Sequence, residues 1–559
     1  MRETKWHIFL LGMIPILLYA ENNSTDRPYL LQSNPCASNI GSINYDKMNR
    51  DERLLAVSLQ GLINRKQPRI YLRERLSDHL LTLYKEKGII KKETEYTALL
   101  PLLKQYKGEI SGAIVYDPEK TWTINLASNI ASVEDRIIIS PRQVSQVRQT
   151  GISDIKNIKD FGFKNECEAF DWYIANIFPK QYHSILSVCG YEKMHDIYRD
   201  YLICFRIPTF WLPGKKDPDY NPEMENRIIR LWQKTPVNIP VIGFWPATES
   251  GYEEYEGVQL AGKYGKFTIV NTWVGNYSFH SGTENPGVKI QQHSLNEKKQ
   301  FDPTRKYVAL TMIESGDAIG YIQYGLGTRQ WDEPERGQVP ISIGITPAVQ
   351  YLMPCYLEHL FRSATTNEYF FCSISGAGYC YPLEQYASET QSRSKTLSEY
   401  FEKTATLMQK LDLSILGLYS HPNRMWDERD LHTVSNYILP QKQIKSILSD
   451  MGRCDGYTGK NANDMLNANT SVHHILTRWS TEIWPYDDRR YDKPAADWLI
   501  REIREQGKDG NFLPVMFYSW HYGPRRLKIV KDTLEKEGYL FVTLDEFDRL
   551  FREATYRYN

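Results

Sequence analysis

The chain has 559 residues, enough for two to four domains of ordinary size. Lys plus Arg and Asp plus Glu both number 68, so the formal charge is zero and no excess positive charge favours nucleic acid as a partner. With 41% hydrophobic and 24% charged residues, the composition argues against a disordered chain, a coiled coil and a multispanning membrane protein. Aromatic residues reach 13%, mostly Tyr, and such rings either fill the core or line a sugar-binding cleft.

The N-terminus predicts export. Basic residues at positions 2 and 5 precede the apolar run 8–19, and Ala20 directly precedes a polar stretch. This is the pattern of a secretory signal peptide, since about twelve apolar residues are too few to span a bilayer. We therefore expect a signal peptide over residues 1–20, no membrane span after cleavage, and a periplasmic or secreted protein. An uncleaved anchor is the alternative.

The cysteine and histidine patterns exclude several classes of site. Eight scattered cysteines without a C-x-x-C pair are too few for a disulfide framework, although Cys372 and Cys380 could pair in an oxidising compartment. The sequence contains no H-E-x-x-H, G-x-S-x-G or Walker P-loop motif, which argues against a zinc peptidase, an elbow-type serine hydrolase and an NTPase. No H-x-x-x-H pair occurs either. Nothing in the sequence calls for a metal or another cofactor, and a metal-dependent deacetylase is a distant alternative.

Helical and strand-like stretches alternate from about residue 44 to 300, which predicts α/β units. Apolar spacing predicts a helix over 53–64 and a strand over 68–72. Further strands are predicted over 112–116, 136–139, 240–244 and 266–270.

After residue 301 the alternation becomes more regular and predicts a seven-stranded β/α barrel. The predicted strands cover 307–313, 368–375, 413–419, 453–457, 472–478, 512–519 and 539–544. The predicted helices cover 394–411, 440–451, 495–506 and 524–537. In such a barrel the chemistry lies where strands end and loops begin at the carboxyl face, so side chains at these points are the site candidates.

The first predicted barrel strand ends in an acidic loop. Glu314 and Asp317 follow it directly, and two carboxylates in four residues could act as general acid, base or nucleophile toward a glycosidic bond. A solvated acidic loop is the alternative. Trp331 and Asp332 follow about 15 residues downstream and are expected on the same rim, with a capped surface turn as the alternative.

Two other predicted strand ends carry aromatic residues. The second strand runs into Gly-Ala-Gly-Tyr-Cys-Tyr-Pro over 376–382, where the glycines permit close backbone approach and hold Tyr379 and Tyr381 on a tight turn. A dinucleotide site would need a third glycine and an early strand-helix unit, and neither is present. His521, between aromatic neighbours, could bind a sugar hydroxyl or move a proton, with a structural role as the alternative.

The heptad at 376–382 matches G-x-G-Y-x-Y-P, so the chain resembles the GxGYxYP family of glycoside hydrolases. Leu-Gln-Gly-Leu-Ile-Asn-Arg over 59–65 and Asn-Tyr-Ser-Phe-His-Ser over 276–281 resemble other segments of that family. The resemblance implies three divergent α/β repeats over 21–300, then a C-terminal seven-stranded β/α barrel over 301–559. It also implies a carbohydrate site in the cleft between the two regions, acidic catalytic residues and export by a bacterium.

The family commonly carries S-D-G-D-N after its first barrel strand, whereas this chain reads Glu-Ser-Gly-Asp-Ala over 314–318. Asp317 keeps the second acid and Ser315 replaces the first. Because a serine cannot serve as a carboxylate base, either Glu314 supplies the charge or the activity is altered or lost.

The resemblance implies that the remaining acid comes from the last N-terminal repeat. Glu249 and Glu256 are the candidates, with Glu256 slightly preferred because it precedes Gly257-Val258. The expected catalytic residues are Asp317, Glu314, Glu256 and Glu249. The expected substrate-binding residues are Tyr379, Tyr381, Trp331, Asp332, His280, Asn276 and His521.

The leading hypothesis is an exported glycoside hydrolase that cleaves a poly- or oligosaccharide in an interdomain cleft by carboxylate acid/base chemistry. The alternative is a non-catalytic carbohydrate-binding protein derived from the same family, which is motivated by Ser315.

Overall fold

The computed structural model describes residues 27–191, 195–245, 252–283, 289–293, 298–312, 319–420, 424–449, 456–477, 480, 482 and 484–558. Within them the chain forms three small parallel sheets followed by a larger curled sheet, so the predicted α/β class is confirmed. The predicted signal peptide lies outside these residues, and export stays a prediction. None of the described helices combines the length and the apolar character that crossing a bilayer would require.

The first sheet has three parallel strands in the order Ile70–Arg73, Asn39–Asn44, Lys92–Tyr96. Helices Arg50–Asn64, Asp78–Glu86 and Leu99–Tyr106 accompany it. The first helix begins at a capping box. The Asn49 side chain accepts a hydrogen bond from the Glu52 backbone N–H, and the Glu52 side chain accepts one from the Asn49 backbone N–H. Its buried apolar positions are those that predicted the helix.

The second sheet repeats this strand order, and the third sheet is also parallel but has four strands. The second has the strand order Arg136–Ile139, Gly112–Val115, Ile155–Asn157, with helices Thr123–Glu134, Val144–Arg148 and Glu166–Asn176. The third has the order Lys266–Val270, Ile239–Gly243, Leu186–Val188, Thr209–Phe210, with helices Arg199–Cys204, Pro222–Gln233 and Tyr252–Lys263. The strand Lys266–Val270 therefore forms one edge of the third sheet.

The C-terminal sheet is a curled half-barrel. Its parallel strands are Lys306–Met312, Ile341–Ile345, Glu368–Cys372, Ile415–Leu418, Ser446–Ser449, Ser471–His474, Phe512–Met516 and Tyr539–Val542, and Asn463–Met465 runs antiparallel to Ser471–His474. The curl brings its ends together, since the Leu476 N–H donates to the Pro514 carbonyl at 3.0 Å. The longer helices are Pro354–Ser363, Arg393–Lys410, Asp492–Gln506, Pro524–Leu534 and Leu544–Tyr558, and Tyr321–Gln330 is a π-helix.

The structure corrects the predicted barrel in two places. The strand Ile341–Ile345 was not predicted, although its alternating apolar residues are typical of one. The helix predicted over 440–451 is wrong, because Ser446–Ser449 is a strand whose residues are all buried between neighbouring strands. Most of the strand predicted over 453–457 lies outside the described residues.

Two of the segments that resemble the family are joined by a buried network of hydrogen bonds, which we call the polar staple. The Gln60 Nε2 donates to the Asn276 Oδ1 at 2.7 Å, and the Asn64 Nδ2 donates to the Ser278 Oγ at 3.0 Å. The Asn276 amide also bonds the backbone N–H and carbonyl of Leu72, both at 2.9 Å. The staple therefore ties the helix and a strand of the first domain to the segment that leads toward the half-barrel.

The thiols are unpaired in the described part of the chain. The Cys372 Sγ donates to the Gly376 carbonyl at 3.7 Å, and the Cys380 Sγ to the Tyr400 hydroxyl at 3.2 Å. The disulfide considered between Cys372 and Cys380 is therefore absent, and both are buried residues.

Candidate active site

The heptad 376–382 docks the half-barrel onto the third sheet. Tyr379 and Thr268 exchange both backbone hydrogen bonds, at 2.8 and 2.9 Å. The heptad therefore pairs with the edge strand Lys266–Val270 through one antiparallel bridge. A Cβ on Gly378 would lie 2.5 Å from the Phe267 ring and 3.0 Å from the Thr268 carbonyl oxygen. Only glycine lets the two backbones approach this closely, and the motif therefore fixes the junction of the two regions.

The helix Arg393–Lys410 of the half-barrel domain supports the heptad. The Tyr400 hydroxyl accepts from the Gly378 N–H at 3.3 Å, and the Thr404 Oγ1 accepts from the Ala377 N–H at 3.1 Å. These bonds satisfy backbone groups of a buried turn, which would otherwise be costly to leave unpaired. The turn is consequently a rigid platform for the two tyrosines that follow it.

Those two tyrosines lie against a glutamate from the third domain. The Tyr379 and Tyr381 hydroxyl oxygens are 2.6 Å apart, and the two side chains are 2% and 3% exposed. The Tyr379 hydroxyl also bonds the carboxyl of Glu254, which lies on the helix Tyr252–Lys263. The Tyr419 ring meets the Tyr379 ring edge-on, with centroids 5.2 Å apart. We call Glu254, Tyr379, Tyr381 and Tyr419 the carboxyl–tyrosine cluster.

Burial sets the proton affinity of this cluster. It raises the pKa of Glu254 to about 7, and the hydrogen bond from Tyr379 offsets part of that rise. Burial also raises the pKa values of Tyr379 and Tyr381 well above their ordinary value, so both hydroxyls keep their protons. A carboxyl that takes up and releases a proton near neutrality, beside fixed hydroxyl donors, suits a general acid.

The helix that carries Glu254 is fastened to the half-barrel. The Tyr255 hydroxyl donates to the Glu384 Oε2 at 2.6 Å, and the Gln259 Nε2 donates to the same oxygen at 2.9 Å. The Tyr255 ring meets the Tyr381 ring edge-on at 4.8 Å. The carboxyl is thus positioned from both regions at once.

Glu254 was not among the residues expected from the sequence, which favoured Glu256, and a catalytic role of Glu256 stays a prediction. The two residues are two positions apart on a helix and so face different directions. Glu256 is half-buried and lines a surface pocket of about 140 Å³ with Trp245, whereas Glu254 precedes the buried Val258 and Ala261 at helical spacing. That i, i+4, i+7 pattern was the signal that placed Glu254 on the inward face.

Three other expected catalytic residues, Glu249, Glu314 and Asp317, lie outside the described residues, and their roles stay predictions. Glu314 and Asp317 follow the strand Lys306–Met312 in sequence. That strand is separated by one strand, Ile341–Ile345, from Glu368–Cys372, which leads into the heptad.

Trp331 and Asp332 lie on the half-barrel at the end of the π-helix. The Trp331 indole is 8% exposed, its Nε1 donates to the Ser363 Oγ at 2.8 Å, and the Arg336 guanidinium covers its ring at 4.6 Å. Asp332 is exposed. Trp331 therefore has a packing role in this structure, and a sugar contact by either residue stays a prediction.

Asn276 and His280 are both fully buried. Asn276 belongs to the polar staple, and the His280 Nδ1 is 2.8 Å from the Tyr84 hydroxyl oxygen. Burial lowers the pKa of His280 to about 3, so the ring is neutral. Neither side chain reaches solvent, and their predicted contact with substrate would require the first domain to open.

His521 is half-buried at a strand end of the half-barrel. Its ring lies 5.4 Å from that of Tyr518 and 6.0 Å from that of Trp484, and burial lowers its pKa. The described residues contain no group of three or more His, Cys, Asp or Glu side chains arranged to hold a metal ion.

The fold and this junction define an α/β protein with a half-buried carboxyl where an N-terminal sheet meets a half-barrel. Four family models match successive parts of the chain. They are the GxGYxYP_N 1st domain at residues 39–108, the GxGYxYP_N second domain at 110–182, the GxGYxYP third domain at 183–282 and the "GxGYxYP putative glycoside hydrolase C-terminal domain" at 304–552. The chain belongs to this family.

A solved structure shares the fold of most of this chain. A hydrolase from Bacteroides thetaiotaomicron VPI-5482, itself described as putative, aligns over 94% of this chain and 97% of its own, with 20% identity and a TM-score of 0.75. The peptidoglycan deacetylase PdaC from Bacillus subtilis aligns over 46% of this chain and 96% of its own, with 12% identity and a TM-score of 0.23, too low to support an argument. No curated protein matches the chain.

Proposed function

We propose that this protein is a glycoside hydrolase that cleaves a poly- or oligosaccharide at the junction of the third domain and the half-barrel, with Glu254 as the proton donor. The observation that carries the proposal is the contact of the Glu254 carboxyl with the Tyr379 hydroxyl, at the point where the family heptad joins the two regions. Membership of a glycoside hydrolase family supports a carbohydrate substrate.

In the proposed reaction, protonated Glu254 gives its proton to the glycosidic oxygen as the bond to the leaving sugar breaks. The Tyr379 hydroxyl then donates to the new carboxylate and stabilises its charge. Asp317, with Glu314 beside it in sequence, would supply the second carboxylate. That group either attacks the anomeric carbon or activates the water that does, depending on its distance from Glu254.

The direct test compares Glu254→Gln with Glu256→Gln. Both remove one carboxyl from the same helix, but only the first changes the carboxyl–tyrosine cluster. We expect the wild type to release sugars from at least one member of a glycan panel, and Glu254→Gln to lower kcat by about 10² or more, the usual scale for losing a general acid. Equal activity of the two variants would refute the assignment of Glu254, and Asp317→Asn tests the second carboxylate.

A second candidate, a carbohydrate-binding protein without turnover, is favoured by Ser315 in the position of a family acid. Calorimetric binding of a glycan that the protein never cleaves would support it. If Ser315→Asp then gained turnover, the inactivity would be due to the serine that stands in place of the family acid.

A further inference from the structure

Two tryptophans from separate regions meet at the junction of the third domain and the half-barrel. Trp273 follows the third-domain strand Lys266–Val270, and Trp520 follows the half-barrel strand Phe512–Met516. Their ring centroids are 5.7 Å apart, with the ring planes tilted by 34°. Both side chains are half-exposed, so the pair presents aromatic surface to solvent at the domain junction. We call Trp273 and Trp520 the tryptophan pair.

The half-barrel holds Trp520 in place. The Tyr321 ring meets its indole edge-on at 4.7 Å and 83°. The Tyr321 hydroxyl donates to the Ser519 carbonyl at 3.1 Å and accepts from the Gln330 Nε2 at 2.7 Å, which fixes the supporting ring. Because the indole is already ordered, a ligand that stacks on it would lose little affinity to side-chain immobilisation.

Trp273 is supported in a similar way. Its indole packs against Gly320, where an added Cβ would lie 3.3 Å from the ring. The centroid of the Tyr324 ring lies 6.3 Å from that of the Trp273 indole. Gly320 and Tyr324 belong to the half-barrel, whereas Trp273 belongs to the third domain. The tryptophan pair is therefore complete only when the two regions are docked.

The strand order separates this pair from the carboxyl–tyrosine cluster. Phe512–Met516 is three strands from Glu368–Cys372, which leads into the heptad, and the strand before Asp317 lies between them. Three strand spacings measure about 14 Å along a sheet. Followed along the curled sheet, this span is greater than the width of one sugar ring, so a ligand that reaches both places must contain more than one sugar.

We propose that Trp273 and Trp520 form a distal subsite that stacks on the apolar face of a pyranose ring in an oligosaccharide whose cleaved bond lies at Glu254. Half-exposed, pre-ordered aromatic faces at a domain junction are suited to a ligand with alternating apolar and hydroxyl surfaces. The inference rests on the proposed function for the location of the cleaved bond. It adds that the substrate contains more than one linked pyranose, and it names the residues that select for length.

The test measures binding in the Glu254→Gln background, where cleavage does not interfere. Calorimetry with cellohexaose, mannohexaose and xylohexaose identifies the hexasaccharide that binds, and the corresponding disaccharide is the short probe. We expect Trp273→Ala and Trp520→Ala each to weaken hexasaccharide binding by about tenfold or more and to leave disaccharide binding within about twofold. Trp520→Phe should restore part of the hexasaccharide affinity, because it keeps an aromatic face.

Trp172→Ala is the matched control. Trp172 is also half-exposed and packed against two phenylalanines, but it lies in the second domain. The Trp172→Ala substitution should not change hexasaccharide binding. With Glu254 restored, the alanine variants of the tryptophan pair should raise KM for the hexasaccharide and leave kcat nearly unchanged.

The outcomes separate the two proposals. Unchanged hexasaccharide affinity in folded Trp273→Ala and Trp520→Ala, or no binding of any of the three hexasaccharides at millimolar concentration, overturns the subsite. Binding that depends on the tryptophan pair, together with full activity of the single variant Glu254→Gln, would retain the subsite and refute the catalytic assignment.

Discussion

Carboxyls with pKa values raised by burial occur in two places in this protein, around the polar staple and at the junction with the half-barrel. Burial raises the pKa of Glu74 to about 8 and that of Asp200 to about 6, beside the polar staple, much as it raises that of Glu254 to about 7. Glu74 and Asp200 are 4% and 0% exposed, whereas Glu254 is only half-buried. A shifted pKa therefore does not by itself mark a catalytic group, and the exposure of the carboxyl is what differs between the two places.

The largest expected effect concerns the junction. In Glu254→Gln the loss of kcat should depend on the leaving group, because a proton donor matters most when the departing oxygen is basic. We expect a loss of about 10² to 10⁴ with a natural oligosaccharide and a much smaller loss with a nitrophenyl glycoside of the same sugar. Equal losses on the two substrates would show that Glu254 does not protonate the leaving group.

A substitution in the polar staple should change the stability of the protein and not its catalytic chemistry. Asn276→Ala removes the partner of Gln60 and of Leu72 and places alanine at a φ of +64°, so the free energy of unfolding should fall by about 2 to 4 kcal/mol. Urea denaturation measures this change. Asn176→Ala, at an exposed helix position, is the control and should cost far less. A small effect at Asn276 would mean that the staple is not a structural tie.

Disturbing the contact between the heptad and the third sheet should cause a smaller loss of stability. A methyl group at Gly378 would clash with Phe267 and the Thr268 carbonyl, so Gly378→Ala should cost about 1 to 3 kcal/mol and also reduce activity by displacing Tyr379. Gly108→Ala is the control, because nothing lies within 4 Å of its added Cβ. Thermal unfolding and turnover of both variants would decide whether the glycine is needed for docking.

The smallest expected effect is a pH dependence from the first domain. The pKa of Glu74 is raised by burial to about 8, above its ordinary value of 4.5, so its stabilising contribution is present at low pH and is lost as pH rises toward 8. Unfolding free energies measured between pH 5 and 9 should therefore fall with pH, and Glu74→Gln should reduce the slope of the fall by up to about 1.4 kcal/mol per pH unit below pH 8. A steeper fall in Glu74→Gln would contradict this account.

Local patterns were sufficient to predict much of the fold. The strands near 112–116, 136–139 and 266–270 are short apolar runs between turn residues, and the structure places them at Gly112–Val115, Arg136–Ile139 and Lys266–Val270. Strand Ser446–Ser449 was taken for helix because a short, fully buried apolar run carries no clear period. Its identity depends on neighbouring strands that are distant in sequence.

The candidate site was less predictable for a related reason. Tyr379 and Tyr381 were found from the heptad, but Glu254 acquires its role only through packing of a helix in the third domain against a loop more than a hundred residues later. The same holds for Trp273, which gains a partner in Trp520 only after the regions dock. Contacts between regions leave little trace in local spacing.

The pH dependence of kcat/KM on the preferred oligosaccharide tests the central claim most directly. If Glu254 is the proton donor, the wild-type profile should fall on its alkaline side with an apparent pKa near the value of about 7 that burial gives this carboxyl. The residual activity of Glu254→Gln should lack that alkaline fall, whereas Glu256→Gln should keep it. An alkaline limb that survives unchanged in Glu254→Gln would contradict the account.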